Sequence, residues 1–284
     1  MAHQAPPQAV DHNLLPFDHN TPFKRREPPN PNWTFGQRIE STPEGRKWME
    51  GEKAGWKTFD AAKEKPGDLY ALLLSGVLPR PVAFVSSVSS DGVENIAPFS
   101  YFNTVSPYPP IISISVNRAP AEKDTSKNIK ATKGFTVNII SEPWVEQANA
   151  ASMNCPNGVS EWSITGLTKE PSIYVKAPRV KESAFSMECV LNQVIEFCPD
   201  NTPSIPSGYL ILGTIKYVHV RKDMLNPDKD VVDPDKLKPI ARMGDISYTR
   251  VTEAFRLPRF DWQKEKEGLE TSGLIEGNKE QASL

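Results

Sequence analysis

The chain has 284 residues, 38% of them apolar and 24% charged, which is enough to bury one large hydrophobic core or two small ones. Its 33 Lys and Arg residues nearly balance 35 Asp and Glu residues, and a net charge of −2 disfavours nucleic-acid binding by overall charge. No apolar run reaches the roughly 18 residues of a membrane span, and no secretory signal pattern is visible at the start. Three cysteines without C-x-x-C spacing are typical of a reducing compartment, so we expect a cytoplasmic protein.

Residues 1–60 are interpreted as a Pro-rich N-terminal arm. Proline lacks a backbone N–H and fixes φ, so its frequency here disfavours regular structure. Trp33, Phe35, Trp48 and Trp56 are nevertheless many large aromatics for a solvated segment. The arm is therefore expected to pack on a surface of its own chain or of a partner subunit, and a disordered leader is the alternative.

Residues 61–260 have the patterning of a folded domain, and residues 261–284 that of a polar C-terminal tail. The domain begins with a predicted helix over Gly67–Leu74. Two β-rich runs follow, Pro81–Ser89 and Val93–Phe99, and they flank an Asp-Gly dipeptide. That dipeptide is a strong turn signal, so the two runs predict a β-hairpin.

The later elements are also mostly strands. Alternation and β-branched composition predict strands over Ile111–Asn117, Phe135–Ile140, Ser186–Phe197, Tyr209–Arg221 and Ile240–Val251. Helices are predicted over Asp124–Lys133, with Asp124 as the capping residue and Gly134 as the stop, and over Pro143–Met153. The predicted fold class is mainly β, a β-barrel with helical insertions.

Histidine is scarce, and this restricts the chemistry. Of four histidines, only His219 falls in a segment with a folded pattern. A cysteine or histidine zinc site needs three or four such ligands, so no metal site is predicted. A Ser-His-Asp triad would depend on His219 alone, and a histidine in an alternating strand is more often structural. An enzyme of this composition would use carboxylates or a bound cofactor.

The start of the helix predicted at Asp124 is a candidate phosphate site. Arg118 ends a strand, and Lys123 precedes a first turn that contains Thr125 and Ser126. Free N–H groups and the helix dipole favour an anion there, and a hydroxyl could donate to it. The alternative is an ordinary helix start with a solvated lysine.

The second candidate is the hairpin strand that contains Pro98. Proline inside a strand marks an edge or a bulge, where neighbouring backbone groups stay free to bond a ligand. A planar heteroaromatic ring could use such groups. The alternative is a strand end with a conformational kink.

An ordered set of segments resembles the flavin reductase-like family with the FMN-binding split-barrel fold. The set covers about Asp68 to Phe255, and no single member is decisive. It consists of PRPVAFVSSVSSDGVENIAPFSYFN, SISVNR, KDTSKNI, FTVNII, GVSEW, APRVKESAFSMECVL and ARMGDISYTR.

The resemblance implies a set of FMN-binding residues. The hairpin strand would lie along the isoalloxazine ring, the Ser115–Arg118 and Lys123–Thr125 segments would hold the phosphate, and Tyr248 would lie near the ring. The implied residues are Ser86, Ser87, Asn95, Ala97, Phe99, Ser100, Tyr101, Ser115, Asn117, Arg118, Lys123, Asp124, Thr125 and Tyr248. The family also implies a homodimer with FMN near the interface, where Phe102 and Asn103 would approach the partner.

The function implied is that of an oxidoreductase that passes a hydride from NAD(P)H or an organic donor through FMN to oxygen, free flavin or a partner. FMN carries its own redox chemistry, so no catalytic side chain is assigned. Many NAD(P)H-using relatives have a histidine late in the chain, whereas Arg242–Tyr248 has none. The alternatives are a non-catalytic module that binds or stores FMN and a flavin-free interaction protein.

The sequence also leaves the roles of an acidic–aromatic pair and of one cysteine to be interpreted. Glu161 and Trp162 would either touch the flavin or substrate pocket or close the core. Cys155 has no clear base beside it in the sequence, so an inert thiol is expected.

Overall fold

The computed structural model describes residues 14–118, 121–156, 159–199 and 205–276. The strands are β1 (Lys24–Arg26), β2 (Arg80–Pro81), β3 (Ala83–Val88), β4 (Glu94–Phe99), β5 (Phe102–Pro107), β6 (Pro110–Asn117), β7 (Gly134–Ile139), β8 (Lys169–Glu170), β9 (Arg179–Val180), β10 (Phe185–Phe197), β11 (Gly208–Val220), β12 (Leu225–Asn226), β13 (Lys229–Val232), β14 (Ile240–Arg242), β15 (Tyr248–Arg250) and β16 (Glu253–Phe255). The α-helices are α1 (Pro43–Met49), α2 (Pro66–Gly76), α3 (Asp124–Thr132), α4 (Val145–Ala150), α5 (Trp162–Thr165), α6 (Pro234–Leu237) and α7 (Trp262–Thr271). None of the helices described is long and apolar enough to cross a membrane.

The centre of the fold is a seven-stranded antiparallel sheet in the order β4-β3-β7-β10-β11-β6-β5. The predicted mainly β class is confirmed in this form. The hairpin around Asp91-Gly92 is also confirmed, with Gly92 at φ 85° in the turn between β3 and β4. Because β4 is an edge strand, Pro98 costs no ladder hydrogen bond to a further strand, as its position predicted.

Two apolar clusters flank this sheet, and β3 contributes to both. Ala83 and Val85 pack in the cluster that contains the β6 isoleucines and Phe135. Phe84 packs on the other side, with its ring centroid 5.6 Å from that of Trp144. Successive side chains of a strand point to opposite faces. Burial of both faces therefore explains why β3 contains only apolar residues and two small serines.

Helix α3 begins at the predicted residue but with a different cap. Lys123 is the N-cap and supplies no side-chain cap, whereas Asp124 is the first helical residue. At the other end Lys133 takes the left-handed conformation, at φ 65°, and Gly134 already belongs to β7. The predicted roles of Asp124 as cap and Gly134 as stop are therefore wrong by one position. Ile129 is fully buried and fixes the helix against the sheet.

Part of the N-terminal arm packs against the C-terminal segment of its own chain. Strand β1 pairs in parallel with β16, and the rings of Trp33 and Phe35 lie 5.9 and 4.7 Å from that of Phe260. Trp48 and Trp56 are instead exposed. Helix α7 forms within the segment predicted as a polar tail, and it buries no residue.

Candidate functional site

A cleft of about 370 Å³ opens between the edge strand β4, the start of α3 and the loop that follows α4. This volume lies within the ~300–1,000 Å³ of typical small-molecule sites. Its lining consists of Asn95, Ala97, Pro98, Phe99, Ala121, Glu122, Lys123, Asp124, Thr125, Lys127, Ala151, Ser152, Met153, Asn154, Cys155 and Glu161.

Six of the predicted site residues meet in this cleft. Asn95, Ala97 and Phe99 alternate along β4 and so share one face of the strand. Lys123, Asp124 and Thr125 approach from the first turn of α3. The two segments that sequence patterning singled out separately, the Pro98 strand and the helix start, therefore form opposite walls of one site.

The donor set at the start of α3 fits a phosphate group. The helix is nine residues long and has no side-chain cap, so its first-turn N–H groups remain available to an anion. Lys123 and Lys127 add two cations. Lys123 Nζ donates to Asn154 Oδ1 at 2.6 Å, and Lys127 Nζ pairs with Asp124 Oδ1 at 3.1 Å. The Ser126 hydroxyl bonds Glu122 and the Lys123 carbonyl, so Ser126 is committed within the helix start.

A buried hydrogen-bond chain crosses the floor of the cleft. The Thr125 hydroxyl donates to Asn95 Oδ1 at 2.8 Å, and Asn95 Nδ2 donates to Glu161 Oε2 at 2.7 Å. All three residues are buried. A buried network whose polar groups are hydrogen-bonded fixes the orientation of its side chains. These two hydrogen bonds therefore connect helix α3, strand β4 and the residue before α5 rigidly.

Glu161 is the most unusual side chain of the site. Burial raises the pKa of its carboxyl, with a smaller contribution in the same direction from Asp124, and hydrogen bonds that include the one from Asn95 oppose this only in part. Trp162, by contrast, packs in the hydrophobic core. The sequence allowed Glu161 and Trp162 either to line the pocket or to close the core. In the structure Glu161 lines the pocket and Trp162 packs in the core.

Cys155 lines the same cleft as a half-buried thiol. Burial, followed by the nearby charge of Glu161, raises its pKa above the ordinary value. A thiol with a raised pKa carries little thiolate at neutral pH, which agrees with the inert role expected for it.

Ser86 and Ser87 lie beneath the cleft rather than in it. Both are fully buried on β3, opposite Ile96 and Asn95 of β4. Ser87 Oγ accepts a hydrogen bond from Asn128 Nδ2 of α3 at 3.1 Å, whereas Ser86 Oγ has no hydrogen-bond partner among the described residues. In this chain Ser87 supports the helix that carries the cationic wall.

The other predicted residues lie outside the lining of this cleft. Ser100 Oγ accepts from Arg80 Nε at 3.3 Å, and the Tyr101 carbonyl accepts from the Ser115 N–H at 2.8 Å. Asn117 and Arg118 end β6 against the start of β11. These residues surround the junction between β4, β5 and β6, and their predicted contacts with FMN remain predictions.

Tyr248 packs beside α4. Its hydroxyl donates to Asn149 Oδ1 at 3.0 Å, and the Arg242 guanidinium lies 4.5 Å from its ring centroid. Burial raises the pKa of the Tyr248 hydroxyl, and Arg242 acts in the opposite direction. Tyr248 therefore contacts α4, the helix that leads into the cleft loop, and does not line the cleft itself.

Sequence reasoning missed the wall formed by Ala151–Asn154 and the lining residue Glu122. Asn154 accepts from Lys123 across 31 residues of sequence, and no local pattern signals such a contact. Glu122 pairs with Lys130 at 2.6 Å, an eight-residue separation that helical spacing within α3 alone would not indicate. Among the described residues no cluster of three or more His, Cys, Asp and Glu side chains could hold a metal ion.

A family comparison identifies this architecture. Residues 74–231, more than half of the chain, match the flavin reductase like domain. The chain therefore belongs to the flavin reductase-like family, as the ordered segments indicated, and it shares that family's flavin-related oxidoreductase character.

Known proteins of similar sequence span most of the folded part. An uncharacterised protein of Aquifex aeolicus is 39% identical in sequence, and the match covers 66% of this chain and 93% of the Aquifex protein. The crystal structure of nitrilotriacetate monooxygenase component B from Bacillus cereus is 36% identical with a TM-score of 0.68, over 72% of this chain and 99% of that one. The 2-nitrobenzoate 2-nitroreductase NbaA of Pseudomonas fluorescens is 28% identical with a TM-score of 0.64, over 72% and 98%.

Proposed function

We propose that this protein is an FMN-binding oxidoreductase of split-barrel fold that takes a hydride from NAD(P)H or an organic donor and delivers electrons to oxygen, free flavin or a partner. One observation carries the proposal in a chain of this family. The uncapped start of α3, with Lys123 and Lys127, faces the edge strand β4 across a cleft of about 370 Å³. Such a cleft offers anion donors on one wall and the backbone of an edge strand on the other.

The residues of the cleft would hold the two ends of FMN in different ways. The first-turn N–H groups of α3 and the ammonium of Lys123 would bind the phosphate through charge-assisted hydrogen bonds. On the outer edge of β4 the Glu94 carbonyl already accepts from Ser160, and the Ile96 N–H faces the Glu161 carboxylate. The remaining backbone groups of this edge would bond the polar rim of the ring, and Phe99 would offer apolar contact. FMN, when bound, supplies the capacity to accept and donate a hydride, so the side chains need only bind, orient and exclude water.

Two relatives support particular electron acceptors. A partner protein as acceptor is supported by the Bacillus cereus relative, which is component B of a monooxygenase. An organic acceptor is supported by the nitroreductase relative. A homodimer in the cytoplasm, with Phe102 and Asn103 near the partner, completes the proposal.

A specific observation favours a second candidate, a module that binds or stores FMN without NAD(P)H turnover. His219, the one histidine of the domain pattern, is bonded to buried Glu188 at 2.7 Å and does not line the cleft. The Arg242–Tyr248 stretch contains no histidine either. The described cleft residues therefore offer nicotinamide no imidazole.

The visible spectrum of the purified protein and its titration with FMN test the first step. The proposal expects a yellow protein, or saturable binding of added FMN, and loss of FMN retention when Lys123 and Thr125 are both replaced by Ala. Absence of FMN binding would refute both candidates and leave the flavin-free interaction protein. Anaerobic stopped-flow mixing with NADH and NADPH then separates the candidates, because only the reductase bleaches the flavin absorbance within its turnover time.

A further inference from the structure

The hydrogen-bond chain on the cleft floor has a defined direction. An ionised carboxylate can only accept, so Asn95 must present its NH₂ group to Glu161 and its carbonyl oxygen to Thr125. The Thr125 hydroxyl has a single proton, which this arrangement directs to Asn95. While Glu161 is ionised, Thr125 therefore has no proton to donate to a ligand in the cleft.

The net charge of the cleft depends on the same carboxyl group. Two lysines, Lys123 and Lys127, and three acids, Glu122, Asp124 and Glu161, line it. Lys130 neutralises Glu122 at 2.6 Å. The balance that remains depends on Glu161, for which no ion pair with a cation is found among the described residues. An ionised Glu161 opposes the binding of a phosphate anion, and a protonated one does not.

Protonation of Glu161 would reverse the direction of both hydrogen bonds, the one between Glu161 and Asn95 and the one between Asn95 and Thr125. One proton moves from solvent to the Glu161 carboxylate, which then donates to Asn95 Oδ1 after the amide turns by half a rotation. Asn95 Nδ2 then donates to Thr125 Oγ1, and the Thr125 hydroxyl proton is free to point to the cleft. No bond breaks other than the O–H bond of the proton's source, and every buried polar atom keeps a partner.

We propose that Glu161, Asn95 and Thr125 form a proton-coupled switch in which phosphate binding at the start of α3 takes up one proton at Glu161 and releases the Thr125 hydroxyl to the ligand. Glu161 is a positioning residue in this scheme, because it acts on the ligand through Asn95 and Thr125. The inference rests on the proposed FMN site and adds to it a pH-dependent affinity.

The neighbourhood of Glu161 contains other charges that a pH titration will sample. Asp124 and Cys155 line the cleft beside it, and Glu94 of β4 forms an ion pair with Lys169, whose ammonium lies 5.7 Å from the Trp162 ring centroid. The titratable and charged groups around Glu161 are Glu94, Glu122, Lys123, Asp124, Lys127, Cys155 and Lys169. Only a comparison with a variant at Glu161 isolates its proton from theirs.

The test counts protons by calorimetric titration of flavin-free protein with FMN in buffers of different ionisation enthalpy. Wild type should take up more protons per FMN than Glu161→Gln, by at most one, and its affinity should fall more steeply as the pH rises, by up to about tenfold per unit. Glu146→Gln, which removes an exposed acid of α4, should behave as wild type. Riboflavin, which lacks the phosphate, should give no such difference between wild type and Glu161→Gln.

Variants of Thr125 separate the switch from simple repulsion. Thr125→Ser keeps the hydroxyl and should keep the additional proton uptake, whereas Thr125→Val removes the hydroxyl and should abolish it. Equal proton uptake by wild type and Glu161→Gln would overturn the inference, and so would full uptake in Thr125→Val. If FMN binds in either of these cases, the switch fails while the proposed function stands, and if FMN does not bind wild type at all, the proposed function fails.

Discussion

The substitution Glu188→Gln tests how the large sheet holds the loop beside it. Glu188 is fully buried on β10, where Oε1 accepts from the Ile173 N–H at 2.8 Å and contacts His219 Nε2 at 2.7 Å. Oε2 accepts from the N–H groups of Tyr174 and Val175 at 2.6 and 3.0 Å. A glutamine keeps one acceptor oxygen and replaces the other by NH₂, which faces an N–H donor and cannot bond it.

The loss of stability in Glu188→Gln follows from these hydrogen bonds. One backbone N–H left unpaired in the interior costs about 1–3 kcal/mol, and the remaining bonds lose the strength that the charge gave them. We therefore expect Glu188→Gln to lower the free energy of unfolding by about 3 kcal/mol, or the melting temperature by roughly 6–10 °C. Urea unfolding followed by tryptophan fluorescence measures it, with exposed Glu196→Gln on the same strand as the matched control.

The same residue predicts a pH dependence. Burial alone would raise the pKa of Glu188, but its hydrogen bonds from the loop N–H groups and His219 outweigh burial and hold the pKa below its ordinary value of 4.5. A lowered pKa in the folded state gives stability that is complete above 4.5 and is lost as the pH falls through the folded-state pKa. Glu188→Gln should therefore flatten the acid side of the stability profile. A variant that unfolds within about 0.5 kcal/mol of the control, with an unchanged acid side, would refute this reasoning.

Three further substitutions have expected outcomes. Gly213→Ala should destabilise the protein by about 1–3 kcal/mol in urea unfolding, because the new Cβ would lie 2.4 Å from Phe135 Cζ in a closed core, and an unchanged midpoint would contradict that packing. Arg80→Met should cost about 3 kcal/mol by the same assay, since it removes a buried guanidinium that donates to three partly buried backbone carbonyls, and a loss under about 1 kcal/mol would count against this. Lys123→Gln should weaken FMN binding roughly tenfold to a hundredfold in a fluorescence titration and leave riboflavin binding unchanged, whereas equal weakening of both ligands would argue against a phosphate contact.

Local chemistry made much of the fold predictable. The Asp91-Gly92 turn and the alternation of Ile111–Asn117 are decided by a few neighbouring residues, and the structure has both. Pro98 was interpretable for the same reason, because a missing N–H is tolerated at a sheet edge. The end of α3 was predicted one residue late, since Lys133 rather than Gly134 takes the left-handed conformation. A preference for glycine there is statistical, and Gly134 is already the first residue of β7.

The cleft was only partly predictable, because its contacts are long-range. Asn95 and Thr125 each carried a local signal, one in the hairpin strand and one at a helix start. Their bond to each other, and that of Asn95 to Glu161, joins segments 30 and 66 residues apart. Burial of Arg80 was equally invisible, since its charge is satisfied by backbone carbonyls that only the folded chain brings together.

The proposed function depends on FMN binding through its phosphate in the cleft between β4 and α3. Equilibrium titration of the flavin-free protein with FMN, followed by the visible flavin spectrum, tests it most directly when wild type is compared with the Lys123→Ala/Thr125→Ala double variant. We expect saturable binding of one FMN per chain by wild type and loss of binding by a double variant that remains folded. Wild type that binds no FMN, or a folded double variant that binds it as tightly as wild type, would refute FMN binding at this cleft.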